Sequence, residues 1–271
     1  QITVFTCNTH RLAPEALMDG VKIYRVACWQ WLDARWPIPR FWETLMVLKN
    51  LAQNNFDFVS TQTRFFPTTW LGFCFAKWVK IPLIHTERGS QHTYSRSHLI
   101  TFAGKLIDHS LGFMVCRLAD VVVGVSEAVC DFARHLGAKN PIKIYNGVEV
   151  NHRTDATTAQ TNDRVVTFVG RLIDAKGVQD LLMAAAAVPG TLIYIVGGGP
   201  YQKKLEKMSR EMNLEKRVTF WGELGQSQVL DVLAKTTVFV NPSYSEGLPR
   251  CVLEAASARL AIIATDVGGT G

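Results

Sequence analysis

Residues 165–182 read VVTFVGRLIDAKGVQDLL. The first part, VVTFVG (165–170), is an apolar, largely β-branched run that suits a strand buried on both faces, and helical periodicity begins at Gly177. Between them, Arg171 stands just past the strand end and Lys176 at the start of the helix. A cation at a helix N-terminus opposes the helix dipole, so structure alone does not explain Lys176. Two fixed cations at the carboxyl end of a strand suit a diphosphate leaving group, where they could take the place of a metal ion. Arginine can hold two oxygens at once, while lysine acts as a point charge. For either residue alone, a solvated surface charge is the plainer alternative.

The same strand-then-helix pattern recurs in both directions. Strands are expected at 2–6, 21–26, 57–60, 82–85, 120–125 and 142–145, then at 165–170, 191–196, 217–220, 237–241 and 261–265. Helical periodicity lies at 40–54, 99–117, 126–136, 177–187, 200–213, 226–235 and 249–258. This alternation predicts an α/β chain with parallel sheets covered on both faces. It breaks once, at the polar, Thr-rich EVNHRTDATTAQTND (149–163). The expected organisation is therefore a Rossmann-like domain over 1–148, a linker over 149–163 and a second Rossmann-like domain over 164–271. Ligands in such sheets bind beyond the carboxyl ends of the strands, so two facing domains would form an interdomain cleft.

Of the 271 residues, 48% are hydrophobic, enough for a sizeable core, and the net charge of +6 points to anionic partners. The six cysteines show no CxxC pair and read as reduced core residues of a cytosolic protein. The longest aromatic-apolar stretch, TTWLGFCFAKWVKIPLI, is broken by Lys77, Lys80 and Pro82, and no run is expected to span a membrane. Nucleic-acid binding has only the charge in its favour, with no motif behind it.

SEGLPRCVLEAAS (245–257) sets two carboxylates, Glu246 and Glu254, around a helix start. Pro249 suits the first helical position, and neither Gly247 nor Leu248 offers a capping oxygen. An uncapped N-terminus next to a strand end favours a phosphate. Glu254 lies ~7.5 Å further along the axis. A diphosphate at the helix start would thus have a carboxylate on each side, as the two hydroxylated rings of a nucleotide sugar require. The alternative is an ordinary first turn in which Glu254 pairs with Arg250. A third strand-end loop, IVGGGPYQKKL (195–205), holds three glycines that allow close backbone approach to a ligand or serve only a tight turn.

In this order, GRLIDAKG, VGGGP, VTFWGEL and NPSYSEGLPRCVLEAAS resemble the donor-binding domain of GT-B glycosyltransferases, specifically the retaining, family-4-like (group 1) members. VVVGVSEAVCDFARHLGAKNPIKIYNGVE extends the resemblance more loosely into the first half. The resemblance implies that Arg171 and Lys176, with Gly170 of the same motif, hold the donor diphosphate. It implies that Glu246 binds donor-sugar hydroxyls, that the Gly247 and Leu248 amides lie near the diphosphate, and that Glu254 binds the ribose. Gly197–Gly199, including Gly198 and Gly199, and Trp221–Gly222 would line the nucleotide. Relatives of this kind retain anomeric configuration without a metal, and no Asp-x-Asp motif contradicts that here. The reaction implied is transfer of a sugar from a UDP- or GDP-type donor to a glycan or lipid-linked acceptor, with no cofactor besides that donor substrate.

The sequence departs from the family pattern at several points. In PLIHTERGSQHTY, Arg88 occupies the position where a family histidine is expected, beside Gly89, with His85 and His92 nearby. Arg88 could donate hydrogen bonds to sugar or phosphate but cannot act as a base. Arg259 stands where the family commonly has a left-handed glycine, at a cost of ~1 kcal/mol. The family's first strand and closing helices are expected to lie outside this sequence. CWQWLDARWPIPRFWETLMVLKN mixes aromatics with cations, which suits acceptor binding and peripheral membrane contact by the first domain at a cytoplasmic membrane face; the alternative is ordinary core packing. Rival functions are a non-catalytic nucleotide-binding module and a non-hydrolysing nucleotide-sugar epimerase. A dinucleotide oxidoreductase would need G-x-G-x-x-G, which the glycines before Pro200 do not supply.

Overall fold

The computed structural model describes residues 2–31, 36–93, 98–148 and 164–271, so the linker expected at 149–163 lies outside the described residues. Two compact units are present: Gln1–Arg88 with Ala103–Gly124 and Cys130–Lys143, and Gly89–Phe102 with Val125–Val129 and Ile144–Gly271.

In the first unit, β1 (Thr3–Cys7), β2 (Glu15–Met18) and β3 (Val21–Val26) form a sheet in the order β1-β3-β2. β1 and β3 are parallel, but β2 runs antiparallel to β3. The sequence reading missed β2, whose EALM favours a helix by propensity. The Asp19-Gly20 turn decides the matter: both residues have positive φ (50° and 80°), the two-residue geometry that matches strand twist in a hairpin. β4 (Cys28–Trp31) and β5 (Trp36–Pro39) form a further antiparallel ribbon. The unit is thus not purely parallel, as the alternation had suggested. α1 (Phe41–Leu51) follows, and then β6 (Val59–Gln62) and α2 (Pro67–Val79). α2 was also unforeseen, because its Thr, Trp and Phe are weak helix formers. Burial of Phe73, Phe75 and Ala76 decides it, and Lys80 ends it in left-handed geometry at φ 59°.

β7 (Leu83–Glu87), β8 (Val121–Gly124) and β9 (Ile142–Lys143) continue from β6 as a parallel sheet. α3 (His98–Ile107), a π-helical turn (Asp108–Gly112) and α4 (Phe113–Leu118) make one helical stretch, and α5 is Glu127–His135. By length and composition this 21-residue stretch is apolar enough to cross a membrane, contrary to the sequence reading. Among its later side chains Val115 and Cys116 are buried, while Phe113 and Leu118 are exposed. Asp108 is buried too, accepting from Arg64 Nε at 2.7 Å. Arg64 is fully buried; its Nη1 lies 2.8 Å from Glu87, and the rings of Phe65 and Phe132 flank its guanidinium. Burial opposes that charge, but Glu87 and Asp108 more than offset it and hold the arginine's pKa above its ordinary value. Buried His85 bonds Thr61 through Nδ1 at 3.0 Å.

The second unit contains a five-stranded sheet in the order β12-β11-β10-β13-β14, parallel throughout. Its strands are β10 (Arg164–Val169), β11 (Thr191–Val196), β12 (Val218–Gly222), β13 (Val238–Asn241) and β14 (Ala261–Ala264). Its helices are α6 (Val178–Ala187), α7 (Gln202–Glu211), α8 (Gln226–Leu233) and α9 (Arg250–Ser257). Side chains alternate between two cores. Phe168, Ile193 and Ile195 join Leu181, Leu182 and Leu205 on one face, while Val169, Tyr194 and Val196 join Val229, Leu233 and Ala255 on the other. This double burial explains why β10 and β11 read as continuous apolar runs.

α9 ends in a Schellman pattern, with Leu260 N donating to Ala255 O and Arg259 N to Ala256 O. Arg259 takes φ 59°, the left-handed geometry expected from the family's glycine. Arg259→Gly should therefore raise stability by up to about 1 kcal/mol, read as a higher urea midpoint at unchanged slope.

Candidate donor site

β10 and β13 are neighbours in the sheet, yet the helices after them pack in different cores, which makes this pair of strands the topological switch point. The loops after their carboxyl ends are Gly170–Gly177 and Pro242–Pro249. They lie against one another: Tyr244 N donates to Ala175 O at 2.9 Å. A Cβ on Gly177, which has φ 67°, would fall 1.9 Å from the Pro242 carbonyl oxygen, so no other residue permits this approach. Tyr244 Oη donates to Asp180 and accepts from Gln179 Nε2, tying the second loop to α6.

This packing brings Lys176 Nζ to 2.6 Å from Glu246 Oε1, with side-chain exposures of 23% and 7%. The cation that the helix dipole disfavours thus has a partner 70 positions away in sequence. Asn241 Nδ2 donates more weakly to the same oxygen at 3.4 Å. Arg171 is exposed, and its side chain has no hydrogen-bond or ion-pair partner among the described residues.

The backbone beyond Glu246 is oriented by its carbonyls. Ser90 Oγ donates to Glu246 O, Ser126 Oγ to Gly247 O at 3.0 Å, and Asn146 Nδ2 to Leu248 O at 2.9 Å. In a trans peptide the N–H points opposite to the preceding C=O. The amides of Gly247 and Leu248 therefore face away from those bonds, and neither has an acceptor among the described residues. Gly269 N also donates to Gly247 O at 2.7 Å, so the Asp266–Gly269 turn supports the same strip. α9 begins at Arg250, one residue later than expected: Pro249 occupies the cap position with extended geometry, and no side chain caps the helix.

The remaining expected residues divide. Glu254 lies 3.7 Å from Arg250 and accepts from Gln226 Nε2 at 3.2 Å, so the ordinary i,i+4 pair is formed. A Cβ on Gly197 would meet Gly170 O at 2.0 Å, and one on Gly199 would meet Leu172 O at 2.4 Å. Those two glycines admit the first loop's backbone, and Leu172 N donates to Gly198 O at 2.8 Å. Trp221 is partly exposed, edge-on to Tyr194 at 5.7 Å. Arg88 belongs to the first unit, where its Nε donates to Gln62 Oε1 at 3.0 Å and its N–H to Glu87. Sequence reasoning missed Asn241 at the end of β13, Gln179 in the first turn of α6, and Tyr244 and the Asp266–Gly269 turn, which follow β13 and β14.

Residues 1–152 match the family Glycosyltransferase Family 4, and residues 152–271 match Glycosyl transferases group 1. The chain belongs to the family 4, group 1 glycosyltransferases. This glycosyltransferase is 29% identical over 272 residues to the uncharacterized glycosyltransferase MJ1069 of Methanocaldococcus jannaschii, covering 93% of this chain and 68% of that protein. It is 25% identical to the N,N'-diacetylbacillosaminyl-diphospho-undecaprenol alpha-1,3-N-acetylgalactosaminyltransferase of Campylobacter jejuni, over 86% of this chain and 64% of that one. The putative teichuronic acid biosynthesis glycosyltransferase TuaC of Bacillus subtilis is matched over 48% of its length and the phosphatidylinositol N-acetylglucosaminyltransferase gpi3 subunit of Schizosaccharomyces pombe over 28%. Sucrose-phosphate synthase from Thermosynechococcus elongatus superposes with a TM-score of 0.75 at 21% identity, over 98% of this chain and 71% of that one. HepE of Anabaena, in complex with UDP-glucose, gives 0.70 at 18% identity, over 92% and 68%. The family 4 glycosyltransferase therefore has the GT-B fold.

Two outcomes follow from the Lys176–Glu246 geometry. Lys176→Met leaves a nearly buried carboxylate without its cation and should destabilise the chain by about 1–3 kcal/mol in urea unfolding. Cys251, on α9, has its thiol pushed up to about 11, chiefly by burial and then by Glu246. At pH 8 it should therefore resist iodoacetamide while exposed Cys74 reacts, as read by peptide mass spectrometry.

Proposed function

We propose that this chain, within its whole protein, transfers a hexosyl group from a nucleotide-diphosphate sugar to a glycan or lipid-linked acceptor, with retained configuration and without a metal. The observation that carries this reading is the convergence of Lys176, Glu246 and two unengaged amides on one strand-end strip, with Arg171 on the adjoining loop. The amides and cations suit the diphosphate, whose charge grows as it leaves, so the site binds the transition state better than the ground state. In the proposed step the bond from C1 to the phosphate oxygen breaks and its electrons go to that oxygen. The acceptor hydroxyl oxygen bonds to C1 from the same face, and its proton passes to the departing phosphate. Glu246 holds donor-sugar hydroxyls; Glu254, turned towards Gln226 and Arg250 here, takes the ribose. The relatives support this class of substrates, since HepE was solved with UDP-glucose and the Campylobacter protein's name gives a diphospho-undecaprenol acceptor.

The acceptor is assigned to the first domain, at a cytoplasmic membrane face. Exposed Phe41, Trp42 and Met46 on α1, beside Arg40 and Lys49, support that placement.

Calorimetric titration with UDP and with GDP tests the donor site. One nucleotide should bind, with or without a chelator, and Arg171→Ala/Lys176→Ala should weaken it at least about tenfold. Equal affinity in the variant would remove the cations from the site. Tight binding without turnover in the full-length protein would favour a non-catalytic nucleotide-binding module.

A further inference from the structure

The first unit contains a cavity of about 750 Å³ that the donor chemistry does not use. It is lined by the loop after β1, by the β3–β4 junction and by the start of α1. Arg11, Arg40 and His10 line it, together with Trp29 and Gln30, and among the described residues no acidic side chain does. Glu43, three residues after Arg40, is engaged outside the lining: it accepts from Ala27 N at 3.2 Å and lies 3.6 Å from Arg40 Nη1. That bridge is half-exposed, so it neutralises Arg40 only weakly.

The loop that carries the cations is held in place before any ligand arrives. Asn8 closes it at both ends, donating from Nδ2 to Leu12 O at 2.7 Å and accepting from Leu12 N at 2.8 Å. Gln30 Nε2 donates to Thr9 O. Arg11 sits in this pinned turn at φ 55°, a conformation that costs an arginine free energy. Asn8, Gln30 and the turn together fix the backbone that carries Arg11 without cancelling its charge. Trp29 is half-exposed on the wall, an indole face of the kind that packs against a sugar ring. Fixed cations, hydrogen-bonding amides and one aromatic wall in a concave site are the complement of a hydroxylated ring bearing a strong anion.

We propose that this cavity binds a phosphate-bearing sugar, with Arg11 and Arg40 on the phosphate and Trp29 against the ring. This rests on the glycosyltransferase reading, in which the phosphate-bearing sugar is the acceptor. The phosphate belongs either to a soluble sugar phosphate or to the diphosphate of a lipid-linked sugar.

The test uses the whole chain carrying Arg171→Ala/Lys176→Ala, so that phosphate taken up at the donor site does not register. Glucose 1-phosphate, glucose and inorganic phosphate are titrated by calorimetry. Neutral phosphatidylcholine vesicles are added with and without farnesyl-diphosphate-linked N-acetylglucosamine. Glucose 1-phosphate should bind at least about tenfold more tightly than glucose, and Arg11→Gly/Arg40→Gln should weaken it at least about tenfold. Glycine accepts the geometry of position 11, so Arg11→Gly alone should keep or raise the urea midpoint while reducing affinity. Trp29→Leu should weaken glucose 1-phosphate but not inorganic phosphate. Binding only to the glycolipid-bearing vesicles supports the site with the lipid-linked source; binding in solution supports it with the free sugar phosphate. Absence of binding to every phosphate probe, or affinity unchanged in Arg11→Gly/Arg40→Gln, overturns the proposal. Nucleotide titration of the unaltered chain reads the donor site separately, so failure of one site is distinguishable from failure of the other.

Discussion

The Lys176 ammonium meets the Glu246 carboxylate at 2.6 Å because β10 and β13, far apart in sequence, are neighbours in the sheet. Much of the donor site follows from that adjacency. Helices in different cores leave a crevice between two loops, and Gly177 lets the loops approach until only a glycine fits. The ion pair then resolves an electrostatic conflict, a cation beside a helix N-terminus, by setting a carboxylate against it. A diphosphate arriving there would meet charge that is already fixed in place, which suits a reaction whose transition state accumulates charge on the leaving group.

The backbone supplies the other half of the site. Three side chains, Ser90, Ser126 and Asn146, donate to successive carbonyls of Glu246, Gly247 and Leu248. Because peptide planes are rigid, bonding the Glu246 and Gly247 carbonyls aims the amides of Gly247 and Leu248. The Gly247 and Leu248 amides are thus oriented indirectly, by side chains bonded to the opposite edge of the same strip. In the first unit, Arg64 holds Asp108 and Glu87 together from the interior, and Glu87 in turn accepts the N–H of Arg88. The end of β7 is therefore anchored to a buried ion cluster whose members would each be costly to leave unpaired.

How much was legible in the sequence depended on how local the signal was. β3 and β11 kept their expected bounds because periodicity and β-branching lie within the segment itself. β2 was written in helix-favouring residues and was settled by the turn that follows it; α2 was written in strand-favouring residues and was settled by burial. Arg259 was legible in advance, since a family glycine reports backbone geometry and the chain keeps that geometry with a costlier residue.

By itself the sequence determined the α/β class, the family resemblance, and which cations and carboxylates belong to strand-end loops, because these are encoded by residue type and spacing along a few turns of chain. Only the tertiary structure decided that Lys176 pairs with Glu246, that Glu254 turns to Arg250 and Gln226, and that Gly197 and Gly199 admit backbone. It also decided that Arg11, Arg40 and Trp29 line one cavity. Each of these depends on which strands and loops become neighbours, and neighbourhood across a sheet is set by packing on both of its faces, to which no single segment holds the information.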